Sequence, residues 1–197
     1  MRSVQIINIG ILALQGDFEA HRNALKAYPL CSVSFVRSSD ELDSIHGLIL
    51  PGGESTTIGK LMVKHCLLEK IQSRSREGMA IYGTCAGLIL QAKEIEGSDQ
   101  VRLGLMDITV ARNAFGRQLD SFEADVNMPI IGTAPVKGVF IRAPYVENCG
   151  EGVEVLARFE NRIVAVRQGK LLGTAFHPEL TPDHRVHGMF VEMCGSE

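Results

Sequence analysis

Short apolar runs alternate with helical patterns through the first half of the chain, and no other feature restricts the fold as much. "IINIGILALQ" reads as a strand, residues 18–27 as a helix, "SVSFVR" as a second strand, and "GLILPGG" as a third strand that ends in a glycine turn. Residues 56–77 are mostly helical in pattern, "MAIYG" is a fourth strand, and residues 86–93 continue as a helix. A strand with one wet face alternates apolar and polar side chains. These runs are close to continuously apolar, as strands covered on both faces are. Such strands separated by helices build a parallel sheet between helical layers.

The second half changes character. Strand-like runs fall near 105–111, 121–126, 136–142, 153–158, 162–167 and 170–176, and the tight connections "FENR" and "RQGK" predict hairpins. Antiparallel strands therefore extend or flank the parallel core. "PDHRVHGMFVEM" reads as a closing helix with Pro182 near its first turn. A chain of 197 residues suits one domain, which at this size buries about 70% of the surface its unfolded form exposes. No repeat, low-complexity tract or linker divides it. The expected fold is a single three-layer α/β domain over residues 1–197, with a mixed, mainly parallel central sheet flanked by helices and antiparallel strands from the second half.

Charge and cysteine usage narrow the function. The 20 Lys+Arg against 23 Asp+Glu leave a formal charge of -3, which gives no footprint for nucleic acid or an acidic membrane surface. The opening "MRSVQIINIGILALQG" has the look of a secretion signal, but Gln5, Asn8 and Gln15 interrupt it. No run approaches the ~20 apolar residues of a membrane span, so the stretch is read as the buried first strand of a cytoplasmic protein. Cys31, Cys66, Cys85, Cys149 and Cys194 are odd in number, widely spaced and without a C-x-x-C pair. That usage argues against a disulfide framework and against a zinc site.

Cys85 lies in "YGTCAGL", a G-x-C-x-G frame at a predicted strand-to-helix junction. The frame is the thiol counterpart of the nucleophile elbow, a turn so tight that side chains in place of Gly83 and Gly87 would collide with neighbouring backbone. A thiol at a helix N-terminus is also favoured as thiolate by the helix dipole. Most free cysteines simply pack in cores; the paired glycines favour presentation of the thiol instead. A thiol nucleophile needs a base, and the histidines are His21, His46, His65, His177, His184 and His187. His177 stands out in "GTAFHPEL", at the end of a predicted strand, where parallel-sheet enzymes place their sites. With Pro178 holding the backbone extended, Glu179 would point to the same side as His177 and orient its ring. His184 and His187 stand i, i+3 on the closing helix, but with no third ligand evident they make a poor metal site. In "LILPGGESTTIGKL", a strand runs through two glycines into a helix that Ser55 or Thr56 would cap. Gly53 and Ala86 could there present backbone N–H groups to an oxyanion.

"PGGES", "GTCAG" and "FHPE", in that order, resemble the class I (triad) glutamine amidotransferases. "LALQGDFEAH", "PGGESTTIGKL", "GTCAGLILQAKEI", "RNAFGRQLDSFEAD", "GVFIRAP" and "FHPELTPDHRVHGMF" narrow the resemblance to the glutaminase-subunit family of pyridoxal 5′-phosphate synthases, from about Ile9 to Met193. The start before Ile9 and the connection 127–135 depart from it without touching these motifs. The resemblance implies Cys85 as nucleophile, His177 as base and Glu179 as its orienter. It implies glutamine contacts from Gly53, Glu54, Ser55, Arg112, Ile141 and Arg142, and activation by a partner docking near Gln15 and Gly16. It further implies no cofactor and no metal. L-glutamine is then the substrate, and the partner a synthase subunit whose ring-forming core gathers a large hetero-oligomer. A glutaminase serving another synthase, or a catalytically silent regulatory subunit, are the alternatives.

Overall fold

The apolar runs of the first half do pair in parallel in the structure, a computed structural model that describes residues 5–112 and 121–196. Strands β1 (Ile7–Leu12), β2 (Cys31–Val36), β3 (Gly47–Leu50) and β4 (Ala80–Thr84) are joined through helices α1 (Phe18–Leu25), α2 (Ser55–Lys64) and α3 (Leu68–Arg76). After helix α4 (Ala86–Gln91) the chain lays down β5 (Ala92–Ile95), β6 (Met106–Ala111), β7 (Ser121–Val126), β8 (Val136–Ile141), β9 (Tyr145–Cys149), β10 (Glu154–Phe159), β11 (Arg162–Gln168) and β12 (Leu171–Thr174). Helix α5 (Arg185–Gly195) closes the fold.

The main sheet has ten strands in the order β2-β1-β3-β4-β12-β11-β9-β6-β5, with β10 beside β11. From β2 to β12 every pairing is parallel, whereas β12–β11, β11–β9 and β9–β6 are antiparallel. β7 and β8 form a separate antiparallel pair.

Successive strand residues serve opposite faces, and both faces here are dry. Ile9, Ile11, Ile49 and Tyr82 join one apolar cluster with Leu25 of α1 and Phe190 of α5. Leu12, Leu48, Leu50 and Ile81 join the other, with Ile58 and Met62 of α2 and Ile71 of α3. Each such side chain contributes about 1.5–3 kcal/mol by leaving water. β2 lies at the sheet edge and alternates half-buried with exposed positions, so one of its faces is wet.

Two local expectations change. The helical stretch 56–77 is two helices, because Cys66 takes a left-handed conformation (φ 55°) between them. The buried stripe runs on through Ile58, Met62, Leu67 and Ile71 on both sides of that break, so periodicity could not reveal it. The helix from Ala86 stops at Gln91, and β5 follows at once. Pro182 stands just ahead of α5, near its first turn as expected. The "FENR" and "RQGK" hairpins do form, joining β10 to β11 and β11 to β12. In the first, Glu160 and Asn161 both have positive φ, as a two-residue hairpin turn that matches strand twist demands.

Candidate active site

The carboxyl ends of β1, β3, β4 and β12 lie side by side, because these strands are parallel neighbours. β4 ends at Thr84 and α4 begins at Ala86, leaving Cys85 alone in the junction with φ 48° and ψ −98°. A side chain in that left-handed region costs roughly 1–3 kcal/mol and persists only where its surroundings enforce it. Part of the enforcement is the Cys85 N–H, which donates to the Thr174 carbonyl of β12 at 2.8 Å. The flanking glycines supply the rest. A Cβ on Gly83 would lie 2.3 Å from the Gly87 carbonyl carbon, and one on Gly87 would lie 2.1 Å from the Leu50 oxygen. Only glycine allows that approach. Cys85 is 8% exposed, and its Sγ points at the Ile141 carbonyl 3.9 Å away.

His177 follows β12, and its N–H donates to the Val139 carbonyl of β8 at 2.8 Å. Its Nδ1 lies 2.7 Å from Oε1 of Glu179. The route to that contact differs from the extended one expected: Pro178–Leu180 is a single 3₁₀ turn, and His177 before it lies outside the helical region (φ −108°, ψ 86°). The residue before a proline is pushed out of the helical region, and the turn then carries Glu179 back onto the ring. Burial disfavours the charged imidazolium, but the hydrogen bonds and charges of Cys85 and Glu179 outweigh it and hold the His177 pKa up at about 10. Burial likewise disfavours the Glu179 carboxylate. The rings of His21 and His177 prevail and hold its pKa down at about 2. Cys85, His177 and Glu179 are thus brought together, with the imidazole between thiol and carboxylate.

The loop after β3 is gripped by the turn after β1. The Asp17 N–H donates to the Gly52 carbonyl at 3.3 Å, and Gln15 Oε1 accepts from the Glu54 N–H at 2.8 Å. Gly16 sits so close that a Cβ there would be 1.9 Å from the Gly52 oxygen. Gly52 in turn backs onto His177, since a Cβ on it would fall 2.3 Å from Cε1 of that ring. Gly53 is exposed beside this clamp, and Ala86 opens α4, where first-turn N–H groups lack an intrahelical acceptor.

The remaining expected contacts form two groups around this centre. Glu54, not Ser55 or Thr56, caps α2: its carboxylate accepts from the N–H groups of Thr56 and Thr57 at 3.2 and 2.7 Å. Ser55 is buried, and its hydroxyl donates to Gln100 Oε1 at 3.3 Å. Arg112 donates to that same oxygen at 2.8 Å and stands 3.9 Å from the Glu54 carboxylate. Gln100 thereby ties Ser55 to Arg112; it lies in a polar loop that nothing in the sequence marks. The rest of the "RNAFGRQ" motif, residues 113–118, is outside the described residues. Across the site, Ile141 ends β8 beside the thiol and Arg142 follows, exposed, with φ 42°. His21 and Thr84 also join the cluster: His21 Nε2 is 3.4 Å from Glu179 Oε1 and 3.2 Å from Thr84 Oγ1. His21 was one of six histidines in the sequence, and only its i, i+3, i+4 spacing to the buried Ala24 and Leu25 hints that it faces inward.

Known proteins share this arrangement of chain. A pyridoxal 5′-phosphate synthase subunit PdxT from Pelotomaculum thermopropionicum is 54% identical over 95% of this chain and 95% of its own. A PdxT subunit from Herpetosiphon aurantiacus is 56% identical over 94% of this chain and 99% of its own. A solved structure described as a glutamine amidotransferase superposes with a TM-score of 0.91 at 50% identity, covering 95% of this chain and 99% of the other. The model of the SNO glutamine amidotransferase family matches residues 11–196, and the chain belongs to that family.

Proposed function

We propose that this chain is the glutaminase of a pyridoxal 5′-phosphate synthase, and that Cys85, His177 and Glu179 carry out its hydrolysis of L-glutamine. The observation that carries the reading is the imidazole of His177 held between a cysteine in a strained elbow and a buried carboxylate. Glutamine hydrolysis to glutamate and ammonia agrees with the family and with the PdxT relatives.

In the reaction, Cys85 Sγ attacks the side-chain amide carbon and forms a thioester after the C–N bond breaks. The protonated His177 gives its proton to the departing nitrogen, which leaves as ammonia. Water, deprotonated by the now neutral ring, attacks the thioester carbon; the C–S bond breaks, releasing glutamate and returning the Cys85 thiolate beside a reprotonated His177. The tetrahedral oxyanion is held by the N–H groups of Gly53 and Ala86; each such donor is worth about 10²- to 10³-fold in rate. Arg112 binds the substrate carboxylate, for which its planar guanidinium is matched. Ser55, Glu54, Ile141 and Arg142 line the remainder of the amino-acid site. No step needs a cofactor.

The clamp of Gln15, Gly16 and Asp17 on the loop of Gly52–Glu54 supports a regulatory reading. A synthase subunit docking on Gln15 and Gly16 sets the Gly53 peptide and switches hydrolysis on, within a large hetero-oligomer around a ring-forming synthase core. Ammonia release from glutamine, assayed with and without the synthase subunit and alongside glutamine-dependent formation of the vitamer, tests this. Release that rises with the synthase and feeds the vitamer is expected. Release feeding another synthase, or none with the synthase present, would overturn it.

A further inference from the structure

His21 is buried completely, as is the Glu179 carboxylate beside it. Behind it, His21 Nδ1 lies 3.0 Å from Nε2 of a second fully buried histidine, His187 of α5. The sequence-based mechanism uses neither ring. Their tautomers follow from what each nitrogen faces. A neutral imidazole carries one N–H and one lone pair. If His21 donated from Nδ1 to His187, its Nε2 lone pair would point at the Glu179 carboxylate, a repulsion in a dry site. The reverse arrangement has no such conflict. His187 Nε2–H donates to His21 Nδ1, and His21 Nε2–H donates to Thr84 Oγ1 at 3.2 Å, with Glu179 Oε1 3.4 Å from the same nitrogen. The Thr84 hydroxyl donates onward to Glu179 Oε1 at 3.5 Å. This direction also leaves His187 Nδ1 as a bare lone pair, in agreement with its lack of a partner among the described residues.

We infer that His21 is a positioning residue of the triad: a neutral imidazole, set in its tautomer by His187, whose Nε2–H fixes the Thr84 hydroxyl as a donor to the buried Glu179 carboxylate and so keeps that carboxylate ionised and aimed at His177. The inference rests on the proposed reading of the site. A desolvated carboxylate stays charged only when several donors serve it, and Glu179 Oε2 has no partner among the described residues, so the donors at Oε1 carry that load. Burial keeps both rings neutral, with the His187 pKa pressed down to about 3 and that of His21 lowered. The other charges facing His21 are His177, which opposes its protonation, and Glu179 and Asp17, which favour it. Because Asp17 caps α1 and also grips Gly52, the helix that carries His21 connects the acid of the triad to the loop of Gly53.

The test compares His21→Asn with His21→Gln, alongside the native chain and Cys85→Ala. A glutamine amide reaches the place of Nε2 and keeps a donor on Thr84 beside Glu179; an asparagine amide reaches only the place of Nδ1. With the synthase subunit present, His21→Asn is expected to lower kcat about 10- to 100-fold at unchanged KM, the range of a hydrogen bond to a charged group. His21→Gln is expected to stay within about threefold of native, having kept that bond. Titration of the His177 ring by NMR on the free chain should show its pKa lowered in His21→Asn and held in His21→Gln. Equal losses in both variants, or an unmoved His177 titration in His21→Asn, would assign His21 to packing and overturn the inference. Should His21→Asn not fold, a lowered His177 pKa in His21→Gln overturns it and a held one supports it. Native turnover that Cys85→Ala abolishes keeps the reading of the site whatever His21 does, and the titration needs no turnover.

Discussion

At the residue scale, His177 and Glu179 are each set by what the other carries. Against burial, the hydrogen bonds and charges of Cys85 and Glu179 hold the His177 pKa up at about 10, so the ring is an imidazolium across the neutral range. The stability this pairing gives through His177 is complete below the ordinary histidine value of 6.5 and fades as pH rises past about 10. The contribution through Glu179 has the opposite sense, complete above 4.5 and fading as pH falls toward about 2. Replacing the carboxylate by an amide removes the charge that favours imidazolium, so Glu179→Gln should lower the His177 pKa. NMR titration of the ring in native and Glu179→Gln protein reads that shift, and an unchanged titration would refute the coupling. Cys85, His177 and Glu179 were legible in the sequence because glycines and a proline mark their turns. His21 was not, because a histidine on the inner face of an amphipathic helix looks the same whether it packs or donates.

At the scale of elements, the junction of β4 and α4 shows how backbone space sets the conformation of Cys85. Gly87 presses on the Leu50 oxygen at the end of β3, so Gly87→Ala forces apart two parallel neighbours and turns Cys85 out of register. Overpacking of this kind costs about 1–3 kcal/mol. Denaturant unfolding should show that loss, while glutamine hydrolysis should fall far beyond it; activity close to native would contradict the elbow. The same contacts explain what sequence patterning could and could not reveal. Ile9, Ile11 and Leu12, apolar on both faces, announce a central strand. β5 (AKEI) and β9 (YVENC) were missed because short strands with charged, exposed positions carry no such signature. The break at Cys66 was missed because neither glycine nor proline stands there and the apolar stripe runs on.

At the scale of the molecule, two cores on either side of one sheet hold its carboxyl edge rigid, and every part of the site hangs from that edge. Phe190 of α5 is fully buried with its ring centroid 5.6 Å from that of Tyr82, the residue before Gly83. Phe190→Ala should cost about 3–5 kcal/mol, seen as a lower midpoint in denaturant; a change under about 1 kcal/mol would mean that α5 is not part of that core. No helix of the described residues is long and apolar enough to cross a membrane. The account stands on one thiol at the end of β4. Its most direct test is ammonia release from glutamine by native and Cys85→Ala chains, each folded and each mixed with the synthase subunit. The native chain should turn over and the Cys85→Ala chain should fall by a factor on the order of 10⁶, to background; full release by Cys85→Ala would contradict it.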